Sequence, residues 1–201
     1  MKKIIFLFPM LLLLSCFAKA QNTKTQSKSN IEVSSPQFGI KGGVNIANMH
    51  VENNTDYESR TGFYVGALAH IHIAEHFAVQ PEVMYSTQGS ELGTIKGKYD
   101  YINVPVLLQY MTHNGFRLQT GPQVGFLVSA KNKSGDLEVD VKDQLNTVDF
   151  AWSFGASYLS KVGLGLDARY NLGLTDILDD DANPEAKHRV WQIGVFYQFQ
   201  K

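Results

Sequence analysis

The residues best suited to chemistry in this 201-residue chain are charged side chains set among alternating apolar residues. They are Lys41, Glu82, Arg117, Asp167 and Arg169. If their strands share one apolar outer face, these charges of both signs point into a common interior, where an unpaired charge is costly. The pattern predicts an ion-pair network that plugs a narrow, polar lumen, and a gated, narrow ion path is the alternative.

Two histidines offer a second kind of chemistry. His70 and His72 are two residues apart and so share a strand face, and Glu82 lies on the next predicted strand with a similar orientation. Two imidazoles and a carboxylate could bind a metal ion or exchange protons. Their predicted position, inward and beside a tight turn, favours packing within the lumen. We therefore assign no catalytic, cofactor-binding or metal-binding residue from the sequence.

Two further patterns are weak as ligand sites. An acidic cluster in the last long link consists of Asp176, Asp179, Asp180 and Asp181. The ordered ligand spacing of a calcium loop is missing there, so a solvated loop is expected. The glycine pairs Gly42-Gly43 and Gly163/Gly165 precede no predicted helix and do not form a phosphate-binding loop. They are expected to allow strand curvature and close packing.

The elements that would position these residues are strands, because the dominant pattern from Gln37 onward has a period of two. In the clearest segment, apolar residues such as Phe116 and Leu118 alternate with polar residues such as Arg117 and Gln119. Eight such segments occur, at about 38–46, 63–73, 77–86, 101–110, 116–128, 150–158, 162–171 and 191–199. One face is aliphatic and aromatic, and the other holds the charges and amides.

The links between these segments alternate in length. Tight links lie at 74–75, 112–115 and 160–161, and long polar links at about 48–61, 88–98, 130–147 and 174–187. Short turns at one end, long loops at the other and an even number of alternating strands are typical of a transmembrane barrel. The sequence therefore predicts an all-β, eight-stranded, antiparallel up-and-down transmembrane β-barrel over residues 37–201, with its apolar face toward lipid.

The first twenty residues have the layout of a secretion signal. Lys2 and Lys3 precede an apolar run, and Ala18-Lys19-Ala20 supplies the small-x-small pattern of a signal peptidase site. The run is shorter than the roughly 20 residues that a transmembrane helix needs. We predict cleavage of residues 1–20, followed by a flexible polar leader over 21–36, which is too poor in apolar residues to pack.

The single cysteine, Cys16, lies inside this signal. The residues around it resemble a lipobox, which would make Cys16 a lipidated first residue, but the ordinary peptidase site fits better. Cleavage removes Lys2, Lys3 and Lys19, which leaves 15 basic residues against 19 acidic ones, a net charge near −4. That balance gives no reason to expect nucleic-acid binding, since proteins that bind nucleic acid cluster basic residues.

An ordered series of short motifs carries a resemblance to a known family. The motifs are Gly39-Ile40-Lys41-Gly42-Gly43-Val44-Asn45, Gln80-Pro81-Glu82-Val83-Met84-Tyr85-Ser86, Ile102-Asn103-Val104-Pro105, Gly121-Pro122-Gln123-Val124-Gly125 and Asp167-Ala168-Arg169-Tyr170-Asn171-Leu172-Gly173-Leu174-Thr175. Over essentially 37–200 the chain resembles the PorT-like outer-membrane β-barrel family. The resemblance implies an eight-stranded barrel with a signal peptide. The family's namesake is tied to a secretion system, but no motif here singles out that role.

These observations favour a non-enzymatic protein of the bacterial outer membrane, with a structural, adhesive or assembly role carried by four long outer loops. Its expected partners are outer-membrane lipid, the barrel-insertion machinery and a protein reached through the loops, with no cofactor. A membrane-embedded lipid-modifying enzyme and a narrow gated ion pore are the alternatives. A periplasmic binder with its apolar face inward is disfavoured, because the charges share one face across several strands.

Overall fold

The computed structural model describes residues 35–51, 58–92, 95–134, 137–142, 145–175 and 186–199. The chain divides into Met1–Ile31, which lies outside these residues, and Glu32–Lys201. The predicted signal peptide, most of the predicted leader and the acidic cluster of 176–181 also lie outside the described residues. No helix within the described segments is long and apolar enough to cross a membrane.

The described residues form nine strands. They are β1 Gln37–Val51, β2 Glu58–Ala74, β3 Phe77–Leu92, β4 Ile95–Met111, β5 Phe116–Ser134, β6 Leu137–Asp140, β7 Val148–Leu159, β8 Leu164–Gly173 and β9 Ala186–Gln198. Eight of them close into a ring in the order β1-β2-β3-β4-β5-β7-β8-β9, since β4 pairs with β5 and β9 with β1. Every pairing is antiparallel, so the predicted eight-stranded barrel is confirmed.

The remaining strand, β6, lies outside the ring. It pairs with the far end of β5, where Lys131 faces Asp140 and Ser134 faces Leu137. β7 then takes over as the partner of β5 from Phe126 back to Phe116. The link predicted over 130–147 is therefore partly a hairpin that extends one wall of the barrel.

Side chains alternate between the outer surface and the interior of the ring. On β1, Ile40 is 55% exposed whereas Lys41 is 4% exposed, and on β8 Leu166 is 62% exposed whereas Asp167 is 4% exposed. Lipid covers an apolar outer face of this kind, and polar side chains fill the interior. The face that the period-two pattern assigned to each strand agrees with this arrangement.

The strands run further than predicted at the end that carries the long links. Residues 58–62, 87–92 and 95–100 pair as strands although they lack a clean alternation. Lipid no longer demands an apolar outer face at that end, so the backbone pairing continues after the pattern has faded. In the opposite direction, Val162 lies in a turn instead of a strand, and Phe199 follows the end of β9.

Three tight turns close the other end of the barrel. They are Glu75–His76, 112–115 and 160–163. Gly115 and Gly163 have φ values of +88° and +87°, a left-handed conformation that glycine adopts without strain. In transmembrane barrels the short turns face the periplasm, so the long links lie at the outer end.

Candidate functional site

Four of the five predicted charges meet in the barrel interior. Arg169 donates from Nη1 to Glu82 Oε2 and from Nη2 to Glu82 Oε1, both at 3.0 Å. Lys41 Nζ lies 3.3 Å from Glu82 Oε1 and 3.1 Å from Asp167 Oδ1. These side chains are at most 3% exposed. Two cations and two carboxylates therefore neutralise one another out of water.

This ion-pair network spans the interior. Glu82 lies on β3 and Arg169 on β8, and these strands are four steps apart in either direction around the ring of eight. Their bidentate pair therefore joins opposite walls. Two amides complete the network, as Gln80 donates to Glu82 at 2.8 Å and Gln119 donates to Asp167 at 2.5 Å.

The fifth predicted charge has a different partner. Arg117, near the start of β5, donates from Nη1 to Gln198 Oε1 at 3.1 Å. Within the described part of the chain, no carboxylate lies at ion-pair distance from Arg117. Arg117 and Gln198 both lie at the periplasmic end of their strands, below the ion-pair network.

The two lumen histidines do not assemble a metal site with Glu82. The rings of His70 and His72 contact edge to face, with centroids 4.7 Å apart. His70 Nδ1 lies 3.3 Å from Gln80 Oε1. Both oxygens of Glu82 are already engaged by Arg169 and Lys41, so the carboxylate has no free lone pairs directed at the imidazoles.

An apolar cluster fills the interior toward the outer end. Tyr99, Tyr101, Leu127 and Ala130 form it, and Val141 and Leu145 pack against it. The backbone N–H of Val141 donates to Ala130 O at 3.0 Å, and that of Leu127 donates to Thr147 O at 2.9 Å. These hydrogen bonds hold the link after β6 against the rim of the barrel.

Sequence reasoning missed this outer cluster. It described the link over 130–147 only as long and polar, and Leu127 breaks the alternation because it falls on the polar face of its strand. The signal was present in the apolar residues Val141 and Leu145, which a solvated loop does not need. An inward leucine and two apolar loop residues together indicate a loop that folds over the lumen.

A closed, antiparallel ring with an apolar exterior and a charged interior agrees with the comparison to known families. The family model for the outer membrane protein β-barrel domain matches residues 19–179. The chain belongs to this family. Membership places this outer-membrane barrel in the bacterial cell envelope, as predicted. The PorT-like resemblance is a finer assignment than this family and stays a prediction.

Solved structures of other barrels share the fold. Neisserial surface protein A has a TM-score of 0.61 at 15% identity, and Ail of Yersinia pestis has 0.54 at 17% identity. Ail in complex with the heparin analogue sucrose octasulfate has 0.52 at 16% identity. Each match covers 83% of this chain and 100% of the other. At such identities the likeness concerns the fold alone. No curated protein matches the chain closely enough to count as a relative.

Proposed function

We propose that this protein is a non-enzymatic outer-membrane barrel with a plugged lumen. We also propose that it is exported by a signal peptide cleaved before Gln21, and that it is related to the PorT-like family. Its structural, adhesive or assembly role is carried at the outer end. The Glu82–Arg169 pair supports this proposal, because it joins opposite walls of a lumen that has room for little more than side chains. A network whose carboxylates are already paired offers no free base or nucleophile.

Three layers close the lumen in series. Arg117 and Gln198 lie nearest the periplasm, the ion-pair network follows, and the apolar cluster around Tyr101 lies toward the outside. An ion crossing the barrel would have to separate buried charges and displace buried apolar side chains. Because breaking a buried pair leaves an uncompensated charge, a steady open state is disfavoured.

Conductance tests this proposal directly. The mature protein should give no steady conductance above background in planar bilayers, whereas a porin reconstituted from the same detergent should give its usual steps. Large, stable pores from the unmodified protein would contradict the plug and favour a channel. The lipid-modifying alternative is tested on the same preparation, because mass spectrometry of outer-membrane lipid incubated with the barrel should show no change.

A more specific adhesive role is favoured by lysines at the outer end. On β4 and β5, Lys98 lies directly opposite Lys131. Like charges in opposite positions destabilise a sheet, so an anion lying over them would relieve repulsion. Two carboxylates relieve part of it. Lys98 Nζ lies 3.7 Å from Asp100 Oδ2, and the hydrogen bond from Lys131 holds the pKa of Glu138 below its usual range.

We therefore propose that this lysine face binds a sulfated polymer. Sucrose octasulfate is a suitable probe, since it was captured by Ail, a barrel of the same fold. Calorimetry should detect binding that weakens with salt, as expected for exposed charges. Lys98→Gln with Lys131→Gln should weaken it several-fold, and Lys161→Gln at the periplasmic end should not. Equal affinity in all three proteins would reject the lysine face.

A further inference from the structure

Two periplasmic turns bring three metal-ligating side chains together. Glu75 and His76 form the turn between β2 and β3, and His113 lies in the turn between β4 and β5. β3 and β4 remain paired up to their periplasmic ends, where Phe77 lies opposite Tyr110. One potential ligand atom from each of the three side chains lies within 4.8 Å of the others.

The contacts within this turn cluster are close. His113 Nε2 lies 3.9 Å from Glu75 Oε1. The rings of His76 and His113 meet edge to face with centroids 4.8 Å apart. Glu75 and His113 are 82% and 79% exposed, so their side chains can rotate without disturbing the barrel. Ligand atoms around a tetrahedral zinc ion are separated by about 3.4 Å, given metal–ligand bonds of 2.0–2.2 Å.

His76 is held in an orientation that suits a ligand. Its Nδ1 lies 3.1 Å from the carbonyl oxygen of Met111, which only accepts hydrogen bonds, so Nδ1 carries the proton. Nε2 is then left with its lone pair. The backbone N–H of Met111 in turn donates to the carbonyl oxygen of His76 at 2.7 Å. A metal-binding histidine commonly donates its second ring N–H to a carbonyl in this way.

We propose that Glu75, His76 and His113 bind one divalent transition-metal ion of the zinc type at the periplasmic face. Two imidazoles and one carboxylate suit such an ion better than calcium or magnesium, which prefer oxygen ligands. Three protein ligands leave a fourth position for water. The site is distinct from the lumen histidines, whose neighbouring carboxylate is already paired with Arg169 and Lys41.

The bound ion joins two turns that are separated along the chain by β3 and β4. β2 and β5 are separated in the ring by β3 and β4, so the ion links the ends of two successive hairpins. Its ligands meet only when those strands are paired. Metal binding therefore stabilises the folded barrel relative to the unfolded chain, by a free energy that grows with the logarithm of the free metal concentration relative to the dissociation constant.

Cobalt is the probe for this site, because tetrahedral Co²⁺ absorbs in the visible region. The mature full-length protein, without a histidine tag, is reconstituted in nanodiscs and titrated with Co²⁺ and then Zn²⁺. We expect one equivalent of Co²⁺ with a tetrahedral spectrum, displaced by Zn²⁺. Zn²⁺ should raise the thermal midpoint, and a chelator should reverse the rise.

Variants assign the ligands. His113→Ala should lose the cobalt spectrum and weaken Zn²⁺ binding by more than the 10- to 100-fold that is typical of losing an outer-shell partner. Glu75→Gln alters an exposed turn side chain without changing its size, and should also weaken binding while folded mobility on unheated gels is kept. His72→Ala, on the lumen face, should bind as wild type does. No bound cobalt, unchanged binding in His113→Ala, or loss confined to His72→Ala would each overturn the proposal.

Discussion

Glu82 receives hydrogen bonds from side chains on three walls of the barrel: Arg169 on β8, Lys41 on β1 and Gln80 on its own strand. A buried ion pair of this kind contributes little net stability compared with well-packed apolar residues, because desolvation offsets the attraction. Breaking the pair is costly, however, because it leaves one buried charge without a partner. The network therefore chiefly disfavours alternative arrangements of the lumen in which one charge is unpaired.

A double-mutant cycle on Glu82 and Arg169 tests this account. Arg169→Met should lower the free energy of unfolding by about 3–5 kcal/mol, because Glu82 loses its bidentate partner in the interior. Glu82→Gln combined with Arg169→Met should cost less than the sum of the two single changes, since neither partner is left charged and alone. Urea unfolding in lipid vesicles, followed by tryptophan fluorescence, measures all four proteins. Additive losses would show that the two residues do not act as a pair.

The sequence places these charges on one side of the strands but does not choose their partners. Partners across a barrel depend on how far the strands tilt and stagger, and alternation carries no record of that stagger. The inward orientation of Arg117 was therefore predicted, but its hydrogen bond to Gln198 was not. The cluster of Glu75, His76 and His113 is hidden for a similar reason, since only the pairing of β3 with β4 brings the two turns together.

At the scale of the strand, contact with lipid causes the period-two alternation in the sequence. Where a strand crosses hydrocarbon its outer face must be apolar and its inner face need not be, so period two is clear on β8. Beyond the lipid the constraint on the outer face ends, and the outer halves of β3, β4 and β5 could not be recognised as strands. The short β6 was missed for the same reason.

An arginine on the outer face measures where the lipid lies. Ile193 on β9 is 52% exposed and faces Val44 and Ala168 on its two neighbours. Ile193→Arg should destabilise the inserted barrel by about 2–4 kcal/mol, because the charge sits near the middle of the bilayer. Leu174→Arg, just past the outer end of β8, should cost only about 0–1 kcal/mol. Folding titrations in vesicles compare the two, and equal costs would reject the proposed membrane position.

Across the whole molecule, closure of the barrel and recognition at its outer surface depend on different parts of the chain. The ring closes through β4 with β5 and through β5 with β7, and the latter pairing runs from Phe116 opposite Tyr158 to Phe126 opposite Val148. β6 contributes no pairing to that ring. It builds on the outer end of β5, beside the opposed lysines. Stability is thus expected from the ring, and recognition from its outer extension.

Replacing residues 137–145 with a Gly/Ser linker separates these two contributions. The variant should still insert and keep the folded mobility of the barrel on unheated gels, because every ring pairing remains. It should stay non-conducting, since the Glu82–Arg169 pair still joins opposite walls after Val141 and Leu145 are lost. Sucrose octasulfate binding should change, because Glu138 no longer neutralises Lys131. A linker variant that fails to insert would show that the outer extension takes part in closing the barrel. A linker variant that inserts but conducts ions would show that the apolar cluster, and not the ion-pair network, seals the lumen.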